Sequence, residues 1–141
     1  MASRRIRTRF RRELTGGVTT VDGALPRTRA RRRTHRRVRR LAHTFLTAFL
    51  RYETGQRSRS VVAGVRATTD ERFGDLLLSE PPRLRAAGGH PNVAAIEQLT
   101  AYGPVRGRLK VIAVLRRDGR RDVLELAFRR TANGWRVAAL G

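Results

Sequence analysis

A change in hydrophobic periodicity near residue 90 constrains the fold of this chain more than any other feature. From Val38 to Tyr52 the apolar residues recur at spacings of three and four, which lines one face of an α-helix about four turns long. From Arg108 onward apolar residues recur at every second position, beginning with Leu109, Val111, Ala113 and Leu115, a pattern typical of β-strands with one buried face. Because the helical pattern comes before the strand pattern, the sequence predicts a segregated α+β domain in which helices cover one face of a curved antiparallel sheet.

Two dipeptides mark the points where strands reverse. Asp118-Gly119 and Asn133-Gly134 are the residue pairs that two-residue hairpin turns favour, since both central residues there need positive φ. They predict a meander of three strands, at residues 108–116, 123–128 and 135–140. A weaker alternation over residues 93–102 predicts one more, for a sheet of about four strands.

Two short helices are expected between the first helix and the sheet. One covers residues 60–66, although Gly64 weakens its helical pattern. The other follows Thr68 and Glu71, which have the spacing of a capping box. It must end before Pro81-Pro82, because proline cannot continue a helix.

The predicted core combines the apolar stripe of the first helix with the inner faces of the strands. Tyr52 continues that stripe and Trp135 shares a strand face with Val137, so both are interpreted as core residues rather than as the lining of a ligand pocket. The residues that define the core are Phe45, Phe49, Tyr52, Leu126, Phe128 and Trp135.

Charge is distributed unevenly along the chain. The 141 residues have a formal net charge of +21, and residues 1–40 contain 15 arginines opposed only by Glu13 and Asp22. Apolar residues there are too sparse to offset an ordering entropy of about 1–2 kcal/mol per residue. Residues 1–34 are therefore predicted to be a disordered, arginine-rich arm, and residues 35–141 to be the folded domain.

Eight arginines of the first 40 residues fall within a short segment, and three interpretations of them are open. They can neutralise nucleic-acid phosphates without reading sequence, contact an anionic membrane surface, or form a solvated tail that reflects an arginine-rich composition. If the first helix extends backward over residues 31–40, they surround it rather than form one stripe. The candidate binding residues are Arg29, Arg31, Arg32, Arg33, Arg36, Arg37, Arg39 and Arg40.

No residue pattern in the sequence predicts catalysis, a cofactor or a metal site. The chain has no cysteine, and His35, His43 and His90 have no second ligand at metal-binding spacing. No serine lies in a nucleophile-elbow motif. Glu97 and Glu125 alone lie within strands between apolar neighbours. Each either projects into a cavity or pairs with a cross-strand arginine on the solvent face, and pairing is the preferred interpretation.

Two segments of the chain resemble the NTF2-like superfamily. They read Phe-Leu-Arg-Tyr-Glu-Thr-Gly at residues 49–55 and Arg-Arg-Thr-Ala-Asn-Gly-Trp-Arg-Val at residues 129–137. Within that superfamily, residues 41–141 are most similar to assembly-factor domains of conjugation and type IV secretion, especially the TcpC-like group of Gram-positive bacteria. The opening helix of that group carries a Phe-Leu-x-Ala-Phe-Leu-x-Tyr pattern, which matches residues 45–52.

This resemblance implies a cone-shaped NTF2-like fold over residues 35–141 and a non-enzymatic scaffold subunit of a DNA-transfer channel. Its partners would be proteins of the transfer complex, including further copies of itself, and its location the cell envelope. In those relatives a membrane-spanning helix precedes the domain, whereas here the stretch is arginine-rich, and apolar runs such as residues 111–115 are too short to cross a bilayer. Two alternatives remain: a nucleic-acid-binding accessory protein that uses the arm, and a small NTF2-like isomerase or hydrolase.

Overall fold

Three helices come before four strands in the chain. The structure is a computed structural model, and it describes residues 26–80 and 92–141. The predicted α+β class and the curved antiparallel sheet are confirmed. Most of the predicted arm, residues 1–25, and the loop with His90 lie outside the described residues. The elements are α1 (Pro26–Tyr52), α2 (Arg59–Thr68), α3 (Glu71–Ser79), β1 (Ala95–Val105), β2 (Arg108–Arg117), β3 (Arg120–Thr131) and β4 (Gly134–Leu140).

Helix α1 begins at Pro26, well before the apolar stripe that starts at Val38. Proline suits the first position of a helix, where its missing N–H costs nothing. The residues between Pro26 and Val38 are mainly arginine, a good helix former, and none is glycine or proline. The chain divides into two units, an N-terminal unit ending at Thr34 and a compact unit of residues His35–Gly141.

The sheet is a meander in which each strand pairs with the next, in the order β1-β2-β3-β4. Asp118 and Gly119 join β2 to β3 with φ values of 52° and 75°, as the dipeptide predicts. Arg106 and Gly107 join β1 to β2 with nearly the same geometry, at 52° and 71°. This third turn was not predicted, because arginine at a positive φ gives no sequence signal comparable to asparagine or aspartate.

One hydrophobic cluster joins α1 to the inner face of the sheet. The alternation predicted for β2 is confirmed, since Leu109, Val111, Ala113 and Leu115 are all buried. Of the predicted core residues, Phe49 is partly buried and stacks on Phe45 with ring centroids 5.4 Å apart. The others are buried: Phe45, Tyr52, Leu126, Phe128 and Trp135.

The two short helices follow α1, and the predicted capping box of the second is wrong. The side chain of Asp70, not Thr68, caps α3 by accepting a hydrogen bond of 2.7 Å from the N–H of Phe73. Thr68 is instead the buried last residue of α2, where its hydroxyl donates to the carbonyl oxygen of Gly64. The side chain is therefore engaged within the preceding helix and cannot serve the next one.

Tyr52 ties the end of α1 to the end of α3. Its ring is 4% exposed, and its hydroxyl lies within hydrogen-bond distance of two carbonyl oxygens, 2.9 Å from that of Leu77 and 2.8 Å from that of Glu80. The guanidinium of Arg57 lies 5.1 Å from the ring centroid, within the range of a cation–π contact. The predicted core residue thus also supplies a polar link between helices.

Candidate functional site

A basic groove lies between α1 and the strand β1, and we call it the α1–β1 groove. One wall is formed by Arg36, Arg39, Arg40 and His43, which all line the groove and are all exposed. Their spacing of three, four and seven residues places them on one face of the helix. The other wall is formed by the consecutive residues Ile96–Leu99, and the groove has a volume of about 440 Å³.

The strand wall of the groove is an edge of the sheet. Strand β1 pairs with β2 on one side and has no strand partner on the other within the described ranges. Successive residues of a strand point to opposite faces of the sheet, so a wall of four consecutive residues indicates that the groove follows the edge. An unpaired edge presents free N–H and C=O groups at alternate residues. The pairing register shifts between Ile96 and Gln98, which makes Glu97 a bulge.

The helix wall carries positive charge that no described acid neutralises. None of Arg36, Arg39 and Arg40 forms an ion pair with a residue of the described ranges. Glu97, the one acid among the described residues that line the groove, is engaged instead by Arg116 and by Arg121, the latter at 3.1 Å. Neighbouring cations on a helix face repel one another. An anionic ligand in the groove would relieve that repulsion.

All eight predicted arginines are exposed on α1, but their positions differ. Arg29, Arg31, Arg32 and Arg33 belong to the N-terminal unit. In the compact unit, Arg37 does not line the groove, whereas Arg36, Arg39 and Arg40 do. Those three therefore share one stripe of α1.

His43 also lies in this stripe, although no role was predicted for it. The signal that could have found it is its spacing from Arg36 and Arg40, which brings position 43 back to the same helix face. The histidines were predicted from the sequence only with respect to metal binding. Within the described ranges no three histidine, aspartate or glutamate side chains come together as a metal site would require.

The glutamates within the strands form ion pairs at the surface. Glu97 pairs with Arg116 and Arg121, as the preferred interpretation predicts. Glu125 also forms a cross-strand pair, but its partner is Lys110 rather than an arginine, at 2.8 Å, and both side chains are about half exposed. Ion pairing at the surface therefore accounts for both carboxylates without a catalytic role.

A second depression, of about 520 Å³, lies beside the N-terminus of α3. Its charges are largely satisfied internally. Asp70 caps the helix and also lies 3.4 Å from Arg129, while Arg66 pairs with Asp75 at 2.9 Å. Arg136 donates to the carbonyl oxygen of Trp135. This depression therefore offers less free charge than the α1–β1 groove.

Two polar contacts fix α1 against the sheet on which the groove is built. The Nε2 of His35 lies 2.6 Å from the carbonyl oxygen of Gly103 in β1, a contact in which the ring N–H donates. At the other end, Glu53 forms an ion pair with Arg117 of β2. Burial raises the pKa of the Glu53 carboxyl above its ordinary value, while the charge of Arg117 and its hydrogen bond act in the opposite direction.

No helix in residues 26–80 or 92–141 combines the length and the apolar composition needed to span a membrane. Comparison of the chain with protein families, curated proteins and solved structures finds no match. The groove is therefore interpreted from its own residues.

Proposed function

We propose that this chain is a non-enzymatic assembly module of NTF2-like fold that acts through protein contacts, in the manner of the scaffold subunits of conjugative DNA transfer. One observation carries the proposal: in residues 26–80 and 92–141 the inner face of the sheet is packed with apolar side chains, and the exposed charged groups of the groove lie outside that cluster. Phe45 and Leu46 of α1 pack in the same cluster as the inner strand residues, and both are fully buried. An enzyme of this fold needs an open cavity with a buried acid or base.

The ion pairs of the strand glutamates support binding over catalysis. Glu125 is about half exposed and bound to Lys110, and Glu97 lies on an open groove with two arginines. A general acid or base has to approach its substrate with a pKa suited to proton transfer. Carboxylates held by cations at the surface are poorly placed for that task.

The scaffold proposal is tested by identifying the partner. We expect the genes beside the coding sequence to include a relaxase or a secretion ATPase, and the full-length protein to co-purify with the product of one of these neighbours. The matched control is the same pull-down with a fold-disrupting variant, Trp135→Ala. The proposal is contradicted if the coding sequence lies among metabolic genes and the protein retains the product of none of its neighbouring genes in the pull-down.

Nucleic-acid binding is a second candidate, and the exposed arginines of α1 favour it. All eight are solvent-exposed, and none forms an ion pair with a described residue. Contacts of this kind release counterions from the phosphate backbone, so the logarithm of the binding constant falls linearly with the logarithm of salt concentration.

The second candidate predicts that the protein retains duplex DNA at low salt. Replacing four arginines of α1 by glutamine should reduce the slope of that salt dependence by about four, since each phosphate contact contributes close to one. Retention that is unaffected by these substitutions contradicts a role for α1.

A further inference from the structure

Resting on the proposed protein-binding function, we propose that the α1–β1 groove binds an extended, acidic segment of a partner protein. In this arrangement Arg36, Arg39 and Arg40 pair with carboxylates of the segment, and the free edge of β1 pairs with its backbone. The segment then lies as an additional strand beside β1, between the sheet edge and the helix.

The dimensions of the two walls match such a segment. Arg36 and His43 are separated by seven helical residues, or roughly 10 Å at 1.5 Å per residue. The wall formed by Ile96–Leu99 spans roughly 10 Å at 3.3 Å per residue. Side chains on one face of a strand recur about every 6.7 Å, and Arg36 and Arg40 are about 6 Å apart along the helix. Acidic residues at alternate positions therefore meet successive cations.

The edge of β1 favours a peptide over a nucleic acid as the occupant. Free N–H and C=O groups at alternate residues complement the backbone of another strand, which is the basis of strand addition. A sugar–phosphate backbone carries no such alternation of donors and acceptors. The bulge at Glu97 limits regular pairing to a short stretch, so side-chain charge has to supply much of the affinity and selectivity.

Other segments of this chain are poor ligands for the groove because they are basic, like the groove itself. Residues 81–91 contain two arginines and no acid, and residues 1–25 contain six arginines against Glu13 and Asp22. A second copy brings a formal net charge of +21 towards another +21, which opposes association. The complementary occupant is thus an acidic segment supplied by a different protein.

The test is a fluorescence titration of the full-length protein with an eight-residue peptide of alternating glutamate and valine. Three competitors accompany it: the same peptide with glutamine for glutamate, the acidic peptide with alternate backbone nitrogens methylated, and a DNA oligonucleotide of equal net charge. We expect the acidic peptide to bind, and the glutamine and methylated peptides to compete at least about tenfold less well. A methylated peptide or an oligonucleotide that competes equally overturns the proposal, because charge alone then accounts for binding.

A matched pair of variants separates the groove from general charge. The triple variant Arg36→Gln, Arg39→Gln and Arg40→Gln should weaken peptide binding by about tenfold or more. The control triple Arg31→Gln, Arg32→Gln and Arg33→Gln removes the same charge from the same helix outside the groove, and it should change binding less than twofold. All six residues are exposed, so both variants should keep the wild-type melting temperature. Equal losses in the two triples overturn the proposal.

Different results contradict the proposal for the groove and the proposal of an assembly function. The triple variant of Arg36, Arg39 and Arg40 is tested in the same pull-down. If it retains the gene-neighbour partner as well as the wild-type protein does, the proposal that the groove binds the partner is overturned, and the proposed assembly function is not. If no neighbour product binds, the assembly function is overturned, and the peptide titration decides the groove on its own.

Discussion

Glu53, directly after the last residue of α1, forms an ion pair with Arg117, the last residue of β2. Their side chains are 20% and 17% exposed, so the pair lies largely out of water. The Nε of Arg117 is buried and has no hydrogen-bond partner in the described structure. The ion pair links the end of the helix to the sheet across 64 sequence positions. Desolvation of the two charges opposes the stability that this contact provides.

Replacing Arg117 by methionine should destabilise the domain more at pH 7 than at pH 4. The substitution leaves the Glu53 carboxylate buried without its cation, for which we expect a loss of about 2 kcal/mol at pH 7, below the 3–5 kcal/mol of fully buried pairs. At low pH the carboxyl is protonated and needs no cation. Denaturant unfolding at the two pH values measures the difference, and an equal loss at both would contradict this role for Glu53.

The sign of this pH dependence follows from the pKa of Glu53. Burial raises it above the ordinary 4.5, so the native state holds the proton more tightly than the unfolded chain does. The stabilisation from this group is present below pH 4.5 and is lost as the pH rises through the native pKa. Glu53→Gln combined with Arg117→Met should abolish the pH-dependent part of the difference.

Gly64→Ala should destabilise the domain, although helix propensity alone predicts a gain of about 1 kcal/mol. A Cβ at position 64 would lie 2.8 Å from the Cβ of Ala48, because α2 approaches α1 closely there. We expect a net loss of about 1–3 kcal/mol from overpacking, measured by denaturant unfolding. Adding Ala48→Gly removes the opposing carbon and should restore part of the loss. A single variant more stable than wild type would show that the helices are not in close contact.

Trp135→Ala should unfold the domain or cost about 3–5 kcal/mol, as large-to-small changes in a core do. The side chain is 7% exposed within the central cluster. Thermal unfolding by circular dichroism measures the effect, with the exposed Val105→Ala as a control that should have little effect. An unchanged melting temperature together with lost binding would identify Trp135 as a ligand contact instead.

Asp70→Ala should cost about 1 kcal/mol through loss of the α3 cap. Asp70→Asn keeps an oxygen for the N–H of Phe73 but loses the charge that faces Arg129. Because Arg129 is mostly exposed, that charge contributes little. The asparagine variant should therefore retain most of the wild-type stability. A loss as large as that of the alanine variant would assign the role of Asp70 to the ion pair.

Periodicity predicted the elements of the domain because burial of apolar side chains is what selects them. The stripe through Phe45 and Phe49 and the alternation along β2 are repeated many times, so local exceptions do not hide them. The capping residue of α3 was missed because Thr68, Thr69 and Asp70 can each accept a hydrogen bond from a backbone N–H. Only the packing of Thr68 in α2 decides among them. The early start of α1 was missed because residues 26–34 form a helix without an apolar stripe.

The candidate groove could be predicted only in part. The density of arginines is visible in the sequence, and so is the spacing of Arg36, Arg40 and His43. Strand β1 as the opposite wall is not, because which strand edge lies beside α1 depends on how the helix packs on the sheet. Pro104 is a residue that edge strands tolerate and central strands do not, but the strand predicted at residues 93–102 ended before it, so this signal of the edge position was missed.

The most direct measurement is residue-resolved amide hydrogen exchange on the full-length protein, with and without the glutamate–valine peptide. If an extended acidic segment adds to the free edge of β1, amides within residues 96–99 that face away from β2 should exchange at least several-fold more slowly. Amides of β4, at the opposite edge, should be unchanged. Protection that is absent from β1, or that appears only on residues 26–34, would contradict the proposal that this groove is the binding site.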